Sequence, residues 1–216
     1  MKAYFPRTPR VMMRLFSKYT WHFHSAKKQI FLTFDDGPTP EITQFVLDEL
    51  KKYNAKATFF CIGKNIQNHQ DIFNQILLEG HSIGNHTQNH LKGWKSNLDT
   101  YVKNVLECEN IISSKTKKLK TQHYKLFRPP YGKIKNKQAK ILIEKGYQII
   151  MWDVLSADFD TSISNEKCLQ NVLKNTKNGS IVVFHDSIKA AERMRYTLPI
   201  ILKKFSEKGY KFSKIK

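Results

Sequence analysis

The sequence predicts a parallel α/β fold of about seven strands, either closed into a barrel or left as an open sheet. Three observations predict it. Short apolar runs alternate with amphipathic stretches along the chain, which is the pattern of repeated βαβ units. Polar residues follow those apolar runs at once, at Asp35-Asp36, Arg128, Asp153 and His185-Asp186, and the carboxyl ends of parallel strands form one functional face. The 216 residues contain no internal repeat and no flexible linker, which suits one sizeable domain.

Taken in order, the first 27 residues read as a basic N-terminal segment. No Asp or Glu occurs before Asp35, and Met12, Leu15, Phe16, Tyr19 and Phe23 recur at helical spacing beside Arg14 and Lys18. A helix docked on the domain's flank is the favoured expectation. The other is a basic amphipathic helix on an anionic membrane or cell-wall polymer. The main domain is expected over 28–216. Ile30 to Phe34 reads as a buried strand. Pro40 to Tyr53 reads as a helix with Ile42, Phe45, Val46 and Leu50 on one face, Thr39 as cap and Pro40 in the first turn. Ala57 to Cys61 is a strand, followed by a helix using Ile66, Ile72, Phe73, Ile76 and Leu77. His81 to Asn85 is a third strand, and Leu98, Tyr101, Val102, Val105 and Leu106 mark a helix.

The Lys- and Ser/Thr-rich stretch Ser113 to Gln122 reads as a solvated loop. Leu126 to Arg128 is a strand cut off by two prolines, and a helix over Lys137 to Lys145 ends at Gly146. Gln148 to Asp153 is a strand, Cys168 to Asn175 a helix, and Ile181 to Phe184 a strand. A last helix leads to a strand near Tyr210 to Phe212.

Composition narrows the partners. Hydrophobic residues make up 40% and charged residues 25%, with 37 Lys and Arg against 18 Asp and Glu, a net charge of +19. Such a field draws polyanions, but the lysines are spread along the chain. No local basic-aromatic motif marks a nucleic-acid reader, so no nucleic-acid partner is expected. Cys61, Cys108 and Cys168 are odd in number and far apart, against a disulfide framework or zinc knuckle. No apolar stretch reaches transmembrane length, and Arg14 interrupts Val11-Met12-Met13 before a secretory core forms. Cytoplasmic and envelope-associated locations both stay open.

The strand-end residues suggest a metal-dependent hydrolase. His86 and His90 are four apart, one helical turn, and with Asp36 make three ligands that leave positions open for water and substrate. That set suits zinc, and also cobalt, nickel, manganese or iron. The bland alternative is one surface and one packing histidine. Asp35 is placed to take a proton from water, or else to cap the Asp-Gly-Pro turn. His185 can protonate a leaving atom, tuned by Asp158 or Asp186. Arg128 can hold a carboxylate in its fork. Pro129 and Pro130 stiffen the next step, so the Tyr131 N–H can serve as an oxyanion donor.

These residues resemble the polysaccharide deacetylase family, the carbohydrate esterases that share the NodB homology domain, from about Lys28 onward. Thr33-Phe34-Asp35-Asp36-Gly37-Pro38 is similar to the family's first motif, which implies Asp35 as base and Asp36 as metal ligand. Gly80 to His90 is similar to the second, implying His86 and His90 as the remaining ligands. Arg128-Pro129-Pro130-Tyr131-Gly132 is similar to the third, implying that Arg128 orients the base and Tyr131 offers its N–H. Ile181 to His185 is similar to the fifth, implying His185 as acid and Val183 as a pocket residue.

The fourth motif departs from the family. In Trp152-Asp153-Val154-Leu155-Ser156-Ala157-Asp158-Phe159, Asp158 is kept, Leu155 stands for an Asp and Phe159 for a Trp. That changes the expected substrate shape more than the reaction. The resemblance implies a distorted (β/α) barrel, a divalent metal, most simply zinc, and a substrate pocket that includes Pro130, Trp152, Phe159 and Val183. It implies removal of N-acetyl groups from amino sugars of a peptidoglycan- or chitin-like polysaccharide. The alternatives are an O-acetyl esterase or small-amide hydrolase with the same site, and a non-catalytic glycan- or polyanion-binding module.

Overall fold

The computed structural model describes residues 4–24 and 27–216. Residues 1–3 and 25–26 of the predicted N-terminal segment lie outside them. The elements run α1 (Arg10–Leu15), β1 (Gln29–Asp35), α2 (Ile42–Lys52), β2 (Thr58–Cys61), α3 (Gly63–Asn68), α4 (Gln70–Leu78), β3 (Ser82–Asn85), α5 (Leu98–Lys118), β4 (Leu126–Phe127), α6 (Asn136–Glu144), β5 (Gln148–Ile149), β6 (Val154–Leu155), α7 (Asn165–Asn175), β7 (Ile181–His185), α8 (Ala191–Glu207) and β8 (Lys211–Phe212).

The strands pair in the order β5-β4-β3-β2-β1-β7-β6, all parallel, with β8 joined to the lower half of β1. Seven strands thus form a curled, incomplete barrel, as expected. The period-2 alternation of a strand sorts β1 between two layers. Ile30, Leu32 and Phe34 face outward into the core beneath the helices. Phe31 faces inward with Phe60, Leu126, Ile150 and Ile181. Thr33 and Asp35 continue that inner row towards the carboxyl end. Phe34 stacks between Phe59 and Phe184, at 5.1 and 6.0 Å.

Between the edge strands β5 and β6 the barrel is open, and the N-terminal segment closes it. Leu155 N donates to Pro6 O at 2.8 Å and Thr8 N to Asp153 O at 3.0 Å. Thr20 N donates to Ile149 O at 2.9 Å, and Met151 N to Thr20 O at 2.7 Å. Below, Phe23 N donates to Gly179 O at 2.8 Å. The segment is mainly extended, and its helix stops at Leu15, because Thr20 and His22 are drawn into bridges with Ile150 and Ser180. Tyr19 and Phe23 therefore lie beyond the helix that their spacing suggested.

Four other expectations are corrected. Ser113 to Lys118 is helical, not loop: α5 continues because Ile112 and Thr116 are buried one turn apart, with Thr116 Oγ1 donating to Ile112 O at 3.0 Å. The helix expected after β2 breaks at His69 into α3 and α4. The strand expected over Gln148 to Asp153 is confined to Gln148–Ile149, with a separate β6 starting only at Val154; the residues between them bond to the N-terminal segment. Thr39 does not cap α2; its N–H donates to Thr43 Oγ1 at 2.7 Å, and Glu41, at φ 61°, begins the helix with no side-chain cap.

The α6 terminus follows the sequence. Gly146 takes φ 85°, Gly146 N donates to Ile143 O and Tyr147 N to Leu142 O, the paired bonds of a Schellman stop. All three cysteines are free and buried. No helix among the described residues is long and apolar enough to cross a membrane.

Candidate metal and catalytic site

The carboxyl ends of β1, β3, β4 and β7 meet at one cleft of about 940 Å³. Asp35 ends β1 and keeps its inward direction. Asp36 takes φ 82°, a left-handed conformation that Asp tolerates better than most residues. The turn sends its side chain sideways, so adjacent carboxylates serve different partners. The turn is held from outside. Asn65 Nδ2 donates to Asp36 O at 2.7 Å, and Gly37 N donates to Asp186 Oδ1 at 3.0 Å. A Cβ on Gly37 would lie 2.0 Å from Asp186 Oδ2, so only glycine fits there.

His86 and His90 do converge, but not on a helix. They sit in a loop after β3 in which Thr87 and His90 have φ 68° and 53°. The loop is pinned by side chains. Asn85 Oδ1 accepts from Thr87 N, Asn104 Oδ1 of α5 accepts from Gln88 N, and Thr87 Oγ1 accepts from Leu91 N. His86 Nδ1–H donates to Arg128 O at 2.7 Å, which leaves Nε2 with its lone pair facing the cleft. The Nε2 atoms of His86 and His90 lie 3.6 and 3.3 Å from Asp36 Oδ1, and the three groups together could hold a metal ion.

The donor set fits a cation. Asp36 Oδ1 is buried without a hydrogen-bond partner. Burial drives the His86 imidazole down to about 3, against the pull of Asp36, and burial also lowers His90. The Asp36 oxygen and the His86 lone pair thus face each other with His90 Nε2 beside them, a cost that a divalent ion bound by all three removes.

Arg128 is the buried hub beside them. Its Nη1 donates to Asp35 Oδ1 and to Thr33 Oγ1, both at 2.7 Å. Its Nε donates to Ile150 O at 3.1 Å and its Nη2 to Met151 O at 2.9 Å. The guanidinium lies 4.1 Å over the Phe60 ring and 5.6 Å from Trp152. One residue therefore fixes Asp35 through its side chain and His86 through its carbonyl.

On the opposite side His185 Nδ1–H donates to Asp158 Oδ1 at 2.8 Å, and His185 N to Asp158 Oδ2 at 2.7 Å. Burial opposes the imidazolium, but Asp158, with smaller help from Asp36 and Asp35, outweighs it and lifts His185 to about 10. Arg193, unnoticed in the sequence, fixes Asp158 by donating from Nε to its carbonyl at 2.7 Å.

Asp186, the other candidate tuner, does not reach the His185 ring. It accepts from Gly37 N and, at 2.6 Å, from Thr43 Oγ1. Asp153 does not join the site either. It precedes β6, and its carboxylate accepts from Ser180 Oγ and Ile181 N at the far end of β7.

Tyr131 has φ 60° and ψ 11°. Its exposed ring packs 4.6 Å from His90 and 5.3 Å from Trp94. Trp152, Leu155 and Phe159 line the cleft, and Phe159 meets His185 edge-on at 5.2 Å. Val183 lies under the floor with Leu155 and Ala157, because strand alternation turns it inward. Pro130 is buried at the start of a 3₁₀ turn and is not part of the wall. Tyr4 is an unforeseen wall residue: its hydroxyl donates to Asp160 Oδ2 at 2.6 Å and its ring meets Phe159 at 5.7 Å. No local signal ties position 4 to this cleft.

The polysaccharide deacetylase family model matches residues 24–150. A peptidoglycan-N-acetylglucosamine deacetylase of Bacillus cereus is 37% identical over 194 residues, covering 89% of each chain. The solved Bc1960 peptidoglycan N-acetylglucosamine deacetylase, in complex with 4-naphthalen-1-yl-N-oxidanyl-benzamide, superposes with a TM-score of 0.86 at 32% identity, covering 96% of this chain and 95% of that one. A family 4 carbohydrate esterase pseudoenzyme of Bacillus anthracis, BA3943, superposes at 0.79 with 26% identity, over 90% and 66% of the two chains.

Proposed function

The chain belongs to the polysaccharide deacetylase family, and from that premise we propose that it removes N-acetyl groups from the amino sugars of a peptidoglycan-type polysaccharide, releasing acetate. It is a hydrolase of carbon–nitrogen bonds other than peptide bonds. The observation that carries the site-level reading is the unpartnered Asp36 Oδ1 facing two imidazole nitrogens, flanked by Asp35 and His185. Since a pseudoenzyme shares this fold, the reading rests on those side chains and not on the barrel.

Asp36, His86 and His90 would hold a divalent ion, and two imidazoles with one carboxylate match zinc best, with cobalt, nickel or manganese as substitutes. Bound there, the ion supplies acidified water and polarises the acetyl carbonyl. Asp35 is the base that receives the water's proton. Arg128 occupies its Oδ1 and leaves Oδ2 for that task. The Tyr131 N–H, for which the described hydrogen bonds contain no acceptor, is placed to donate to the oxygen that becomes negative. His185, kept charged by Asp158, delivers the Nε2 proton to the leaving nitrogen as the C–N bond breaks. Trp152, Leu155 and Phe159 offer apolar faces to a sugar ring. A phenylalanine and a leucine leave this wall with fewer hydrogen-bonding groups than the family pattern.

The test is acetate release from N-acetylglucosamine oligomers and from peptidoglycan, with and without chelator, beside the Asp35→Asn variant. Loss of turnover in that variant with polymer binding retained separates an enzyme from a binding module. Acetate from O-acetylated xylan alone would move the assignment to an esterase. No acetate from any glycan by zinc-loaded protein would end it.

A further inference from the structure

We propose that the exposed face of α1 is an interfacial anchor that seats the protein on an anionic lipid bilayer. This stands apart from the deacetylase reading and uses none of its residues. In the helix Arg10–Leu15 Met13 is the one partly buried residue, and it packs against the cluster that includes Trp21, Phe127, Tyr147 and Met151. Its other apolar side chains point away. Leu15 is 73% and Val11 61% exposed, and Met12 and Phe16 are exposed beside them. Phe16 stacks on Tyr19 at 5.7 Å, and Trp21 Nε1 donates to Phe16 O at 3.0 Å. The apolar side chains therefore sit on a ridge fixed to the barrel and not on a loose tail. Of the other large exposed apolar residues, Tyr131 and Ile188 belong to the cleft, and exposed residues such as Leu78 and Tyr196 are ordinary for a protein surface.

Charge selects the occupant. Arg10 and Arg14 are exposed one turn apart on the same helix and Lys18 is exposed just after it, and no acidic residue precedes Asp35. A second copy would bring the same cations, on a chain of net charge +19, against this one, so self-association works against its own field. An anionic glycan polymer would satisfy the cations but leave Val11, Met12 and Leu15 in water. A bilayer surface with acidic headgroups takes both: the cations meet phosphates and the apolar side chains enter the headgroup–acyl boundary.

The full chain is mixed with vesicles of phosphatidylglycerol and phosphatidylcholine, and separately with phosphatidylcholine alone, at about 0.15 M salt, and bound protein is read by flotation. Binding is expected to the acidic vesicles and to be weak on the neutral ones. Met12→Ser/Leu15→Ser is expected to cut partitioning roughly tenfold or more, and the single Leu15→Ser variant by a smaller factor, with circular dichroism and acetate release from soluble oligomers unchanged. Leu78→Ser, a change of the same kind elsewhere on the surface, is expected to bind as the parent does. No binding to acidic vesicles overturns the proposal. So does loss of binding in Arg10→Gln/Arg14→Gln with none in the serine variants, which would mark adsorption by charge alone. A concentration-dependent dimer abolished by Leu15→Ser would assign the ridge to a second copy instead.

Discussion

Replacing Asp158 by Asn tests how the acid of the reaction is kept charged. Asp158 receives two hydrogen bonds from His185, from Nδ1–H and from the backbone N–H, and outweighs the burial that would otherwise discharge the ring, raising it to about 10. Asn keeps the shape but removes the charge, and its one acceptor oxygen cannot serve both donors fully. With burial unchanged and only Asp36 and Asp35 left to oppose it, the ring falls below its ordinary value near 6.5. At pH 8 the protonated fraction then falls from nearly complete to below about 0.03, a loss of at least about thirtyfold in kcat from protonation alone. The loss shrinks about tenfold for each pH unit below that, until pH meets the variant's own lowered value.

The assay is kcat for acetate release from an N-acetylglucosamine oligomer at saturating substrate between about pH 5.5 and 9.5, expressed as the ratio of variant to parent. In that ratio, ionisations of other groups cancel. A ratio that falls steeply above neutrality is expected. A flat ratio, whether near unity or uniformly low, would refute the argument, because it would mean that Asp158 only positions the ring.

Four further outcomes are expected. Because the His185 value is raised on folding, its contribution to stability is complete below about pH 6.5 and is lost as pH rises towards about 10; thermal melts of the parent should show that decline, and Asp158→Asn a flatter curve. Arg128→Met leaves Asp35 buried without its cation and strips donors from Ile150 O and Met151 O, so urea unfolding should show a loss of about 3–5 kcal/mol, together with loss of turnover. Asp36→Asn or His90→Ala should reduce zinc, measured by elemental analysis after gel filtration, from about one ion per chain to well below that without unfolding the barrel. Gly179→Ala would place a methyl 1.8 Å from Phe23 O at a residue with φ 79°, so it should release the N-terminal segment and show as faster amide exchange at Thr20 and Phe23.

The parts of the fold that could be read in advance are those where burial writes a periodic signal. β1, β2 and β7 are buried along their length and read as apolar runs. α6 announced its end through Gly146, where a left-handed residue is needed. The last turns of α5 hid because Thr116 is a buried polar residue bonded to its own helix, so hydrophobicity says nothing there. The convergence of His86 and His90 was expected from helical spacing, yet a loop with two left-handed non-glycine residues achieves it, held by Asn104 from another element. Composition carries no trace of such a loop. The same holds for the division of labour between Asp158 and Asp186. Both follow strand ends, and only the path of the chain decides which one meets the imidazole and which one secures Gly37.

The N-terminal closure of the barrel sets an order on assembly. Tyr4 finds Asp160 156 positions later, and Thr20, His22 and Phe23 find partners in Ile150, Ser180 and Gly179. During synthesis these residues emerge well ahead of their partners, since their docking strip does not exist until β5, β6 and β7 have followed. Contacts between distant segments form late because loop closure precedes their reward. The sheet can begin to curl before then, but the wall that Tyr4 adds waits for Phe159 and Asp160, and the cleft is finished only once β7 has brought His185 beside it.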